Sequence, residues 1–400
     1  MVQVKPTGGA SSTFPEMVTV HLVGRLTPTV LSFLVPAIHA SSSLGRRQAL
    51  LYIDDGIRHE QITTVPIDVH SVHIPDSYSF LSRCGALFSA LQSFSQTHPM
   101  DVLHVHGVLP ALAAACLLRA RSVFDVEVLF SPHSSRLLNW TVARHALLGC
   151  LAGISEKNAL RVIANVQREA RLLDRVGGLS VQVMDCPVPP VFFETPRNEA
   201  SDPIVISCNL ECHHAAFDAF QRLAVLLNDE RLGITFQWMG NTAAGGLDGL
   251  RAAGIVCFDA FTSSSFRAVH FSTAWVYVAT CNERGFPIRL AEAMAAGLPC
   301  VALDTEVHRS IVIPGETGYL YASLREMLER IGQLVDSEQL RYRMGNAARR
   351  EAELRFRESE FRRRFLHAVN PNSLGASLDQ LDETPAALRL HSPPNTPTCS

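Results

Sequence analysis

The stretch from Thr280 to Asp304 contains residue types that could bind a phosphate group beside a carboxylate. Gly285-Phe286-Pro287 is predicted to open a short helix, because glycine lets the backbone approach a ligand and proline suits the first helical position. A helix N-terminus at the carboxyl edge of a strand binds anions, and Glu292, about one turn further on, suits ribose hydroxyls. The alternative is that Glu292 is a surface residue paired with Arg289 at i, i+3.

The same stretch predicts the elements that position these groups. Ile288 to Ala296 consists of strong helix formers, and Gly297 stands where a left-handed residue commonly ends a helix. Pro299 prevents the helix from continuing, and Cys300 to Leu303 is predicted to be a buried parallel strand. A loop, a short helix and a buried strand therefore follow one another, as in one unit of an α/β sheet.

Length and composition indicate a globular protein of two domains. The chain has 400 residues, of which 47% are hydrophobic and 18% charged, and its net charge of −3 gives no electrostatic case for nucleic acid. No stretch has the pattern of a secretory signal or of a membrane span. The ten cysteines lack framework spacing, and Cys208-x3-Cys212-His213-His214 fits no standard zinc pattern. We therefore expect a cytoplasmic protein.

Strand and helix patterns alternate twice along the chain. The first series runs from a strand at Met17 to Val23 to another at Val181 to Met184, and the second begins at Ile204. Pro187 to Pro203, rich in proline and acidic residues, is predicted to be the linker. The pattern predicts the α/β class, with two Rossmann-like domains facing across a cleft. The predicted divisions are a flexible N-terminus at 1–16, domains at 17–195 and 196–370, and a disordered tail at 371–400.

Several motifs together resemble one known family. Arg284 to Asp304, followed by Gly315-Glu316-Thr317-Gly318, resembles the donor-site signature of retaining GT-B glycosyltransferases of the family 4 type. Asp101 to His106 is similar to the family's first-domain strand that ends in a functional histidine. The resemblance spans roughly residues 17–365 and implies a GT-B-like fold. It also implies transfer of a sugar from a nucleotide-sugar donor to a glycan or lipid-linked acceptor, in surface polysaccharide synthesis, with no metal or other cofactor.

The resemblance implies roles for individual residues. Glu292 would hold the ribose of the donor, and the backbone around Gly285, Phe286 and Pro287 would bind its phosphate or sugar. His106 would lie across the cleft near the donor sugar, where stabilising the charge of the leaving group is the main catalytic demand. The remaining candidates are Asn209, His214 and Gly240 for the donor, and Gly24, Arg25 and His133 for the acceptor.

The chain departs from the family pattern at the donor site. Arg284 stands where the first carboxylate of the family's pair is expected, and Glu283 is one place out of register, so it would serve only if the loop bulges by one residue. Asn209 and His214 occupy the positions of the family's diphosphate-clamping Arg and Lys, and Lys157 is the last lysine of the chain. Arg284 could replace this clamp, or it could pair with a neighbouring glutamate.

These departures leave three functions open. The first is an active transferase with altered donor chemistry, in which Glu292→Ala leaves the fold intact and weakens nucleotide binding. The second is a catalytically impaired relative that binds a sugar nucleotide or a partner enzyme. The third is a sugar-nucleotide epimerase of the same fold.

Three further features have competing interpretations. His106 is either functional or a hydrogen-bonded strand end, and His104 is expected to face away from it into the core. Arg25 either meets an acceptor phosphate or caps a helix. Ser337 to Phe365 is predicted to be a helix whose arginines form a solvated face, and a peripheral contact with anionic lipid is the alternative.

Overall fold

The computed structural model describes residues 17–54, 56, 60–63, 65–74, 79–120, 126–133, 141–156, 158–173, 180–209, 214–230, 233–240, 247–259, 263–283 and 285–369. The predicted ends at 1–16 and 371–400 lie outside these residues. Within the described part, no helix combines the length and apolar character needed to cross a membrane.

The first domain is built on a seven-stranded parallel sheet. Its strands are β1 (Val18–Val23), β2 (Arg47–Asp54), β3 (Asp68–His73), β4 (Val102–His106), β5 (Glu127–Ser131), β6 (Leu160–Ala164) and β7 (Ser180–Val183). Their order in the sheet is β3-β2-β1-β4-β5-β6-β7. The helices that connect them are α1 (Pro28–Ser42), α2 (Glu60–Thr63), α3 (Phe80–Thr97), α4 (Val108–Ala120), α5 (Thr141–Ser155) and α6 (Gln167–Leu173).

The second domain repeats this plan on six parallel strands. They are β8 (Ile204–Asn209), β9 (Thr235–Gly240), β10 (Val256–Asp259), β11 (Val276–Ala279), β12 (Cys300–Leu303) and β13 (Gly318–Tyr321), in the order β10-β9-β8-β11-β12-β13. The helices of this half are α7 (Val191–Glu194), α8 (His214–Glu230), α9 (Leu247–Ala252), α10 (Ser264–Thr273), α11 (Ile288–Ala295), α12 (Glu306–Arg309), α13 (Leu324–Asp336), α14 (Glu338–Arg355) and α15 (Glu358–Val369). The predicted α/β class with two Rossmann-like sheets is confirmed.

The final helix packs on the first domain. Phe33 of α1 meets the rings of Phe361 and Phe365 of α15, with centroids 5.2 Å and 6.2 Å apart. The single helix predicted from Ser337 to Phe365 is wrong, because the structure divides it at Phe356. That residue is fully buried, and its carbonyl accepts the N–H of Val188 at 2.8 Å, so the break directs α15 back across the first domain.

The predicted linker is a packed segment rather than an open loop. Phe192 and Phe193 are buried in a core shared with α10 and α11. The N–H groups of Asn198 and Ala200 each donate to the end of α10 at 3.0 Å. Proline and acidic residues predicted a linker here, but they do not reveal that two neighbouring phenylalanines anchor the segment in a core.

The arginines of α14 and α15 are mostly bound within the protein. Arg341 is 5% exposed, lies 3.6 Å from the ring of Trp275 and donates to Glu199 at 2.6 Å. Arg355 donates to Asp185, and Arg364 pairs with Glu360. Because internal partners neutralise these cations, this face gives little support for a contact with anionic lipid.

Two helical glycines should respond oppositely to alanine. A Cβ at Gly345 of α14 would collide with the carbonyl oxygen of Gly297, whereas one at Gly85 of α3 would meet no atom within 4 Å. We expect Gly345→Ala to lower the free energy of unfolding by about 1–3 kcal/mol, because a backbone oxygen cannot move aside cheaply. Gly85→Ala should raise it by about 0.5–1 kcal/mol. Urea unfolding of both variants checks this, and equal effects would contradict the described packing of α14.

Candidate active site

The carboxyl edge of the second sheet gathers the predicted donor residues. The strands of this sheet are parallel, so the C-terminal ends of β8, β9, β11 and β12 lie at the same edge. Helix α11 begins there after Pro287, whose own side chain makes no capping hydrogen bond. Gly285 is half-buried, while Phe286 is buried and packs against Phe356 with ring centroids 5.5 Å apart. The structure therefore places a helix start at this edge, as the glycine and proline predicted.

Glu292 is buried between two arginines. Arg267 of α10 donates to both carboxylate oxygens, at 2.8 Å to Oε1 and 3.1 Å to Oε2, and Arg289 donates to Oε1 at 2.5 Å. Burial alone would raise the pKa of Glu292, but the guanidiniums of Arg289 and Arg267 outweigh it and hold the pKa below its usual range. The predicted pairing with Arg289 exists, in the interior rather than on the surface. Oε2 accepts one bond from these arginines and keeps a lone pair for a further donor.

Polar atoms without partners occur on the segments that follow β11 and β12. Among the described residues, four such buried atoms have no hydrogen-bond partner: Thr280 Oγ1, Glu283 Oε2, Arg289 Nε and His308 Nε2. Buried polar atoms in proteins are nearly always paired, and leaving one unpaired costs about 1–3 kcal/mol. A polar ligand at this edge of the sheet would supply their partners.

Glu283 faces His308, a residue that was not among the candidates predicted from the sequence. His308 is fully buried in α12, its Nδ1 donates to the carbonyl of Leu303 at 2.6 Å, and its Nε2 lies 3.8 Å from Glu283 Oε2. Two residues further on, the hydroxyl of Ser310 donates to the carbonyl of Val307 at 2.6 Å.

The other predicted donor residues have different surroundings. Asn209 is buried, and its amide donates to Ser207 Oγ at 3.0 Å. Gly240 has a packing role, since a Cβ there would collide with the indole nitrogen of Trp238. His214 begins α8, but its side chain lies outside the described part of the chain, as does Arg284 altogether.

The first domain brings His106 and His133 together. His106 ends β4 and is 2% exposed, and its Nδ1 lies 2.9 Å from Nε2 of His133. His133 follows β5 with a left-handed φ of 48°, which is rare for a residue other than glycine and marks a constrained position. The remaining acceptor candidates follow β1, where Gly24 is half-buried and Arg25 is exposed.

The prediction that His104 faces away from His106 is wrong. Residues two apart in a strand point to the same face, and the two rings have centroids 4.0 Å apart. His104 is fully buried, and its Nε2 lies 3.0 Å from Ser131 Oγ.

Burial favours the neutral form of His21, His104, His106 and His133. Burial lowers the pKa of His21 to about 4 and that of His133 to about 3. Burial, reinforced by neighbouring histidines, also holds the pKa of His104 and of His106 well below the usual value.

Comparison with known proteins agrees with this geometry. Residues 261–351 match the family described as glycosyl transferases group 1. The "Putative glycosyltransferase EpsD" of Bacillus subtilis (strain 168) is 24% identical over 298 residues, covering 68% of this chain and 77% of that protein. Sucrose-phosphate synthase from Thermosynechococcus elongatus superposes with a TM-score of 0.70 at 14% identity, covering 89% of this chain and 99% of its own. Anabaena HepE in complex with UDP and glucose gives a TM-score of 0.69 at 14% identity, covering 89% and 100%.

The structural likenesses extend over nearly the whole chain, while the family match falls on the second domain, around α11. The predicted GT-B-like fold is thereby confirmed. The chain is a protein of the GT-B fold with a glycosyl transferases group 1 segment at residues 261–351, and together these findings support a glycosyltransferase.

Proposed function

We propose that this protein transfers a sugar from a nucleotide-sugar donor to a glycan or lipid-linked acceptor, with retention at the anomeric carbon. The observation that carries the proposal is the set of unpaired buried polar atoms on the segments that follow β11 and β12. That set lies within the segment that matches the glycosyl transferases group 1 family. Anabaena HepE, a protein of this fold, was solved with UDP and glucose, which is the class of ligand that such atoms would bind.

Each polar group has a proposed partner in the donor. The free lone pair of Glu292 Oε2 accepts a ribose hydroxyl, while Arg267 and Arg289 fix the carboxylate. The N-terminus of α11 faces the diphosphate, with Asn209 and Gly240 at neighbouring strand ends and His214 at the start of α8. Glu283 and His308 meet the sugar. No metal or other cofactor takes part in this reaction, because arginine and the helix N-terminus bind the leaving group.

The acceptor is proposed to bind the first domain. His133 and Arg25 follow the carboxyl ends of β5 and β1, and the half-buried Gly24 lies directly before Arg25. We place the reaction in the cytoplasm, in the assembly of a surface polysaccharide, where a lipid-linked acceptor would bring the enzyme to the membrane.

Arg284 is proposed to complete the diphosphate site. A helix N-terminus supplies only about half a positive charge, so a diphosphate leaving group needs a further cation. Lysine is absent beyond Lys157, and Arg267 is engaged by Glu292. We expect Arg284→Ala to abolish transfer and to weaken binding of nucleoside diphosphates far more than binding of the nucleoside. Arg284→Lys should restore activity only in part, because a point charge does not replace a bidentate donor. Calorimetric titration of both variants checks this, and unchanged diphosphate affinity in Arg284→Ala would assign the clamp elsewhere.

One observation favours a second function, a catalytically impaired binding protein. Both ring nitrogens of His106 are engaged by other histidines, so the group that faces the donor sugar in the family is occupied here. A third function, epimerisation of the nucleotide sugar, would proceed without an acceptor.

A screen of nucleotide sugars by thermal denaturation tests the proposal. A ligand that binds only the folded protein raises its melting temperature, and at 100 times its Kd it adds about 2.7 kcal/mol to the free energy of unfolding. We expect one nucleoside diphosphate sugar to raise the melting temperature more than its free sugar or nucleoside. If none of the common nucleotide sugars does so, the donor site proposed around α11 is refuted.

A further inference from the structure

Three histidines converge on one face of the first sheet. His21 of β1 and His104 of β4 are directly paired across the two central strands, and His106 lies two residues further along β4. All three are at most 2% exposed, and one nitrogen from each lies within 4.8 Å of the corresponding nitrogens of the others. Phe33 of α1 and Phe365 of α15 cover this cluster with aromatic rings.

Each ring is held by an outer partner. Nε2 of His21 lies 3.0 Å from Gln48 Oε1, Nε2 of His104 lies 3.0 Å from Ser131 Oγ, and Nδ1 of His106 lies 2.9 Å from His133 Nε2. Histidines that bind metals characteristically donate their second N–H to such a partner, which fixes the ring and the tautomer. Here all three rings have such a partner within hydrogen-bonding distance.

The remaining nitrogens of the three rings lack a full set of hydrogen-bond partners. Nδ1 of His21 and Nε2 of His106 are 3.2 Å apart, so a single N–H satisfies both of them. Nδ1 of His104 is buried and has no partner among the described residues. Water is the usual partner of a lone buried nitrogen, but three convergent imidazole nitrogens also match the ligand set of a transition metal.

We propose that His21 Nδ1, His104 Nδ1 and His106 Nε2 bind one divalent transition metal ion of the borderline class, such as Zn²⁺. Zinc–nitrogen bonds of about 2.0–2.1 Å in tetrahedral geometry place ligand nitrogens about 3.3 Å apart. The pair formed by His21 and His106 already has this spacing, and the ligand atoms of all three histidines lie within 4.8 Å of one another.

Binding requires no change in the number of protons. Without a metal, these contacts are satisfied if His133 donates from Nε2 to His106, His106 donates from Nε2 to His21, and His21 donates to Gln48. With a metal bound, His106 donates from Nδ1 to His133 Nε2, and the proton of His133 moves to its own Nδ1. Only two tautomers change, and each ring stays neutral, which is the form that binds metals.

The site would tie β1 to β4 at the centre of the first sheet and lock His106 in one orientation. It lies in the first domain, apart from the diphosphate site proposed around α11, and it does not depend on the proposed function.

Metal binding to tag-free, chelator-treated full-length protein tests the proposal. We expect one equivalent of Co²⁺ to give the intense visible absorption of a four-coordinate ion, and Zn²⁺ to displace it. We also expect Zn²⁺ to raise the melting temperature by about 5 °C or more at 100 times its Kd. His104→Gln and His21→Gln should each lose both responses, and Ser131→Ala should weaken binding by about 10–100-fold through loss of the outer partner.

His367→Gln is the matched control, because His367 is an exposed histidine of α15. It should bind Co²⁺ like the unsubstituted chain. The proposal is overturned if the unsubstituted chain binds neither Co²⁺ nor Zn²⁺ at a metal concentration of about 100 µM. It is also overturned if His104→Gln binds these ions as tightly as the unsubstituted chain does. These readouts require no donor or acceptor, so their failure would leave the proposed transfer reaction untouched.

Discussion

Replacing Glu292 with alanine is expected to lower the free energy of unfolding by about 3–5 kcal/mol, because two buried arginines would lose their counter-charge. The carboxylate is 1% exposed, and Arg267 and Arg289 are nearly as buried. Chemical denaturation at pH 7 measures the loss. The matched control is Glu329→Ala, which removes an exposed i, i+4 partner of Arg325 and should cost less than about 1 kcal/mol. Similar losses in the two variants would show that the buried triad does not stabilise the fold.

This expected loss of stability differs from the expectation drawn from the sequence alone, in which Glu292→Ala leaves the fold intact. The contribution of Glu292 to stability also depends on pH. The folded pKa of Glu292 lies below its unfolded value, so its contribution is present above the unfolded pKa and is lost as pH falls through the folded pKa. Glu292→Ala should therefore flatten the decline of stability in acid below about pH 4.3.

Replacing Glu283 with glutamine should reduce transfer by about 100-fold or more, the range typical of acid–base and charge-stabilising groups. Glu283 and His308 face each other at the carboxyl edge of the second sheet, and each has an unpaired buried atom. His308→Gln should have a similar effect on kcat, and the double variant should lose little more than either single variant, because the two residues act as one unit.

Asp202→Asn is the control and should keep full activity, because this exposed carboxylate precedes β8, at the sheet edge opposite the start of α11. The assignment of Glu283 and His308 is wrong if both single variants keep the kcat of the unsubstituted chain. It is also wrong if their losses multiply in the double variant, as they would for independent residues.

Local chemistry made the region around α11 predictable. The structure begins α11 at Ile288, one residue after Pro287, and ends it at Ala295, with Gly297 in the left-handed conformation at φ 79°. β12 spans Cys300–Leu303, as predicted. Proline and glycine act through their own backbones, so their positions can be read without knowledge of distant contacts.

Contacts between distant segments were not predictable in this way. Arg267 and Glu292 lie 25 residues apart, and His21 and His106 lie 85 apart. These contacts depend on α10 lying beside α11 and on β1 pairing with β4, a crossover that strand patterns do not specify. The break at Phe356 was missed because it goes with contacts to distant residues, the ring of Phe286 and the N–H of Val188, which helix propensity does not report.

The most direct test of the central claim is the release of free nucleoside diphosphate. The donor identified by thermal denaturation is incubated with the protein, with and without a lipid-linked or glycan acceptor, and the diphosphate and the anomeric configuration of the product are measured. The account predicts diphosphate release that depends on the acceptor, equals the sugar transferred, retains the donor's configuration and disappears in Arg284→Ala. A donor that binds but releases no diphosphate with any acceptor would contradict the account and indicate a binding protein. Conversion of the donor without an acceptor would contradict it in favour of an epimerase.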